Sequence, residues 1–134
     1  MARPNYETIR DKTPFRWRVN STYYAFFALV DVPLRQVNLH SETMIELVRR
    51  GRPLFRHQWG DRVPIPSLST PAISYGHING LGADLIFPEE GEVSFTKICG
   101  SLQEGIDLLQ KTVDFASAGM VPFYLDYRKK LQEA

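Results

Sequence analysis

The sequence is nearly without cysteine: Cys99 is the single one in 134 residues. One thiol cannot build an internal disulfide framework or a cysteine-rich zinc module, and it fits a reducing compartment. Long apolar runs are missing as well. The longest, Tyr23 to Val30, has eight residues, against the ~20 that a membrane-spanning helix needs. Neither sign of charge is in excess: 16 Lys and Arg stand against 15 Asp and Glu, a net charge of +1. The chain therefore carries no electrostatic footprint for nucleic acid or an anionic membrane. No apolar stretch follows Met1-Ala2-Arg3-Pro4-Asn5, so no signal peptide is expected. The Asn20-Ser21-Thr22 sequon then reads as chance, and the expected location is the cytoplasm. No internal repeat and no low-complexity tract occurs.

What is present is an ordinary globular composition, 43% hydrophobic and 23% charged, which argues against disorder. The length is that of one domain at about 100–200 residues each. Residues 1–18, broken by Pro4 and Pro14, read as an N-terminal arm that lays Phe15 and Trp17 on the body. An anion site built from Arg16 and Arg18 is the sharper alternative. Residues 19–134 read as a single α/β domain.

Within it, Tyr23, Phe26, Phe27 and Val30 recur at the spacing of one helical face. Asn20 or Ser21 can cap that helix, and Pro33 ends it. Ser41 is a good N-cap, Glu42 and Glu46 suit the first turns, and Met44, Leu47 and Val48 make an apolar face. Arg49, Arg50 and Gly51 then predict the end of a helix over 41–50. Gly60-Asp61-Arg62 reads as a turn. Val63-Pro64-Ile65-Pro66 reads as a short extended segment at a sheet edge. A short helix is expected from Pro71 to Leu81, loosened by Gly76, Gly80 and Gly82. Ala83–Phe87 reads as a strand stopped by Pro88, with Glu89, Glu90 and Gly91 in the loop behind it. Ser101-Leu102-Gln103-Glu104 is a capping box, and Leu102, Ile106 and Leu109 give the apolar face of a helix over 101–111. A last helix starts near Pro122, with the face Tyr124, Tyr127 and Leu131. The order of elements gives an α/β fold class with few strands.

Candidate chemistry is sparse. No two of His40, His57 and His77 stand at helical spacing, so a zinc site would need distant segments. His40 more simply precedes a helix cap, and His57 sits in a polar link beside Trp59. Cys99 lacks a neighbouring base; Lys97 could lower its pKa slightly. Gly76-His77-Ile78-Asn79-Gly80-Leu81-Gly82 precedes a strand instead of following one, so it is no dinucleotide loop. The candidate catalytic residues are Glu89 and Glu90, with Glu92 close behind. Ligands of α/β proteins sit at the carboxyl ends of strands, and a carboxylate there can bind a cation, orient a basic substrate or move a proton. A solvated acidic turn is the plain alternative. His77 and Asn79 are the substrate-binding candidates; no metal ligand is assigned.

Taken together, Leu81-Gly82-Ala83-Asp84-Leu85-Ile86-Phe87-Pro88-Glu89-Glu90-Gly91, the Ser101–Leu109 helix, Val113-Asp114-Phe115 and Gly119-Met120-Val121-Pro122-Phe123-Tyr124-Leu125-Asp126-Tyr127-Arg128 form an ordered set. With Glu46–Gly51 and Asp61–Pro66 upstream, the set resembles the N-terminal part of the uroporphyrinogen decarboxylase superfamily, most closely its corrinoid-dependent methyltransferase branch. The resemblance covers about residues 40–134. It implies a helix-rich N-terminal portion of a (βα)8 TIM barrel, too short to close the barrel alone at the ~250 residues that fold takes. It implies that Glu89 or Glu90 stands where the decarboxylases carry an essential acid. For the intact family enzyme it implies a cobalamin-bearing (corrinoid) protein as partner and zinc as cofactor, the metal ligands lying in a C-terminal half outside this chain. Three alternatives stand beside that reading. One is a non-catalytic oligomerisation or partner-binding module derived from the fold, pairing with a second copy or a companion chain. Another is a fragment of a tetrapyrrole decarboxylase, and the last a complete small-ligand-binding α/β domain.

Overall fold

The computed structural model describes residues 12, 21–71, 73 and 75–134. The arm with Phe15, Arg16, Trp17 and Arg18, and the capping role of Asn20, fall outside the described residues. Six helices and one strand pair follow among the described residues: α1 (Tyr24–Phe27), α2 (Leu34–Leu39), α3 (Ser41–Trp59), α4 (Gly76–Gly80), β1 (Leu85–Ile86), β2 (Ser94–Phe95), α5 (Leu102–Leu109) and α6 (Val121–Glu133). β1 and β2 pair antiparallel, Leu85 opposite Phe95 and Ile86 opposite Ser94. The chain is thus helix-rich, with a single small sheet among the described residues.

The core is helical. Phe26, Val37, Met44, Leu47, Phe55, Tyr127 and Leu131 come from α1, α2, α3 and α6 and are buried together. The aromatic stripe of residues 23–30 does face this core, but the helix holds for one turn only. Pro33 ends the first pattern and, in extended geometry, becomes the N-cap of α2. At six residues α2 is too short to show a period, and its stability comes from packing.

The largest departure from expectation is α3. It does not end at Gly51 but runs on through Pro53 to Trp59, and His57 lies on it, exposed, not in a link. The physical reason is Phe55. Its ring is 1% exposed and meets Phe26 edge-on, centroids 5.9 Å apart and planes at 80°. An aromatic pair of that geometry is worth about 0.5–1.5 kcal/mol beyond its burial, and reaching it requires about one further turn. Gly51 is needed for closeness instead: a Cβ there would overlap the Phe26 ring. The left-handed exit falls at Gly60, φ 67°, where the Arg56 guanidinium donates to the carbonyls of Gly60 and Val63, each at 2.9 Å.

Val63–Pro66, expected as an extended segment at a sheet edge, forms no strand and pairs with none among the described residues; two prolines leave too few N–H donors for a ladder. It packs on the core through Val63 and Ile65, and the Ser21 hydroxyl donates to the Pro64 carbonyl. The expected 71–81 helix shrinks to α4. The expected 83–87 strand shrinks to β1. Its partner β2 carried no legible signal at two residues.

Helix α5 forms where the capping box places it: the Ser101 hydroxyl accepts from the Glu104 N–H at 3.2 Å. The Glu104 carboxylate accepts from the Gly100 N–H at 2.6 Å, one residue before the expected partner. Its apolar face, expected to be buried, is not. Leu102 is 82% exposed and Leu109 72%.

Candidate functional site

The loop between β1 and β2 presents the two glutamates. It turns at Gly91, φ 95°, and both Glu89 and Glu90 are exposed. The Glu89 carboxylate accepts from the Arg35 guanidinium of α2. With side chains 40% and 69% exposed, that pair is worth about 0–1 kcal/mol. It orients the loop toward α2 without locking it, so a substrate cation could displace Arg35. Glu90 makes no hydrogen bond or ion pair with any described residue.

His77 and Asn79 share α4 but do different work. The His77 ring is exposed and lies edge-on to Phe115, centroids 5.6 Å apart. The Asn79 side chain is half-buried and committed to the backbone: its amide donates to the Ala83 carbonyl at 2.7 Å, and its Oδ1 accepts from the Met120 N–H at 2.6 Å. That second bond satisfies a donor at the start of α6, where helices carry orphan N–H groups. Asn79 is therefore a clasp between α4, the entry to β1 and α6. Gly119, φ 57°, makes the clasp possible, because a Cβ there would strike Asn79. No hydrogen bond, ion pair or ring contact joins Glu89 or Glu90 to His77 or Asn79 among the described residues.

Two tyrosines were read from the sequence only as an apolar face. The Tyr127 hydroxyl donates to the carbonyls of Val37 (2.6 Å) and His40 (3.2 Å), and the Tyr124 hydroxyl donates to the Asn38 carbonyl at 3.0 Å. Val37 and Asn38 lie in the last turn of α2, where carbonyls have no partner within the helix. Burial pushes both phenols well above the usual tyrosine range. They act as hydrogen-bond donors, not as bases.

A mostly apolar cleft lies elsewhere. It has a volume of about 290 Å³ and is lined from α4, β1 and the first turns of α6, Asn79 and Arg128 among the lining residues. Ligand pockets run from about 300 to 1,000 Å³, so it is at the small end and cannot enclose a tetrapyrrole or a corrinoid. No group of three or more His, Cys, Asp or Glu among the described residues is arranged to hold a metal ion, so no residue here is assigned to zinc. Cys99 is a free, half-buried thiol. No described helix is long and apolar enough to cross a membrane.

Comparison with known proteins returned no matching family profile, no matching characterised protein and no matching solved structure.

Proposed function

We propose that this chain is the N-terminal segment of a uroporphyrinogen decarboxylase-like, corrinoid-dependent methyltransferase of the cytoplasm, in which the β1–β2 loop forms part of the substrate mouth. The observation that carries this reading is α5. A helix with a well-made N-terminal cap turns Leu102 and Leu109 to water, 82% and 72% exposed, and burying two such side chains is worth about 1.5–3 kcal/mol each. A barrel helix separated from its sheet would look like this. Glu89 and Glu90 then serve as acid, base or cation ligand at the mouth, and His77 is the weaker candidate for substrate binding. The cobalamin protein would carry the methyl group and zinc would activate the acceptor, both held by residues outside this segment.

The test is the mass of the protein isolated from its native source. A product well above 15.4 kDa is expected. In that enzyme, Glu89→Gln or Glu90→Gln should lower methyl transfer by about 10²-fold or more, the usual contribution of a general acid or base. A product of 15.4 kDa that forms a defined oligomer and ignores zinc and cobalamin would overturn the reading in favour of an assembly module.

A further inference from the structure

The cleft beside α6 carries an inference independent of the barrel reading. It is continuous in its lining with a second depression of about 380 Å³: Thr70 and Arg128 belong to both. The first is apolar, walled by Pro71, Leu85, Val121 and Leu125. The second adds the polar groups of Ser69 and Gln132. Arg128 stands at the junction and is the single charged residue lining either one among the described residues. It makes no ion pair or hydrogen bond with any described residue; on the same helix Lys130 is held by Asp126 at 3.2 Å, and Lys129, also without a partner among the described residues, lines neither cleft. An unneutralised guanidinium between an apolar slot and hydroxyl groups has a definite complement. A guanidinium binds a carboxylate bidentately through two parallel N–H···O bonds, and hydroxyls can donate to the same oxygens.

We propose that this double cleft binds a small amphipathic carboxylate, its hydrocarbon end in the slot over Leu85 and Val121 and its carboxylate on Arg128 and Thr70. The volume limits the apolar body to a medium chain or a single ring; a dinucleotide or tetrapyrrole is too large.

Calorimetric titration of the full chain with octanoate, octanol and acetate tests the site. Octanoate should bind at least tenfold more tightly than octanol or acetate, since each of these supplies half of the complement. Arg128→Gln should weaken octanoate at least tenfold and leave octanol unchanged, and Arg128→Glu should abolish octanoate binding. Arg62→Gln, an exposed cation away from the cleft, should change nothing. Arg128 is itself exposed, so circular dichroism of its variants should match the parent. Equal binding of octanoate and octanol, indifference to Arg128→Gln, or no binding of octanoate would each overturn the proposal. None of these results bears on the glutamates of the β1–β2 loop.

Discussion

Tyr127 shows how one hydroxyl can hold distant parts of a chain. It closes the gap between α6 and α2 with two hydrogen bonds across roughly 90 residues of sequence. Tyr127→Phe keeps the ring and removes the donor. It leaves the Val37 carbonyl without the partner seen here, and should cost about 1–3 kcal/mol in urea unfolding, the penalty for a buried group left unsatisfied. The pH dependence follows from the burial of the same hydroxyl. Burial first, then the neighbouring Tyr124, raises the Tyr127 pKa on folding. The stabilisation is therefore whole below the unfolded value, about 10, and is lost as pH rises above it. Stability of the parent should fall more steeply than that of Tyr127→Phe above pH ~10. The face Tyr124, Tyr127 and Leu131 was legible because its spacing is helical. The acceptors were not, because α2 is too short to announce itself.

At the scale of the element, α3 sets local signals against packing. Arg49-Arg50-Gly51 is a good helix ending by every local rule, and Pro53 lacks the N–H an interior position needs. Packing of Phe55 on Phe26 outweighs both. Because Pro53 is exposed and interior proline costs ~3 kcal/mol relative to alanine, Pro53→Ala should stabilise the protein by about 1–3 kcal/mol in thermal or urea unfolding. Gly51→Ala should do the opposite. The propensity gain of ~1 kcal/mol is smaller than the 1–3 kcal/mol or so that overpacking typically costs, and the Phe26 ring has nowhere to yield. Boundaries were misread wherever a stop signal and a core contact disagreed. They were read well for α5 and α6, where capping box and proline agree with the fold.

For the whole molecule, the helical core and the hairpin with α5 divide the chain unequally. Core positions and surface apolar positions should respond differently: Leu47→Ala should cost about 2–5 kcal/mol, while Leu102→Lys with Leu109→Lys should stay within ~0.5 kcal/mol each, as surface changes do. Thermal unfolding distinguishes them. The loop that carries Glu89 and Glu90 was legible in the sequence because it follows a strand stopped by proline. The cleft at Arg128 was not, since it joins residues 70, 85, 121 and 128 through contacts no local pattern encodes. The Tyr127 clasp has one more consequence. Because α6 docks on α2 and α3 and β1 pairs with β2 across the interval, continuity of the chain at Gly91 should be dispensable for holding the halves together. Residues 1–90 and 91–134, produced as separate polypeptides, should reassociate as a one-to-one complex visible by native mass spectrometry, and Tyr127→Phe in the shorter piece should weaken that reunion. A complex of that kind would make the protein a split pair, its two parts matched by the same hydroxyl that finishes α2.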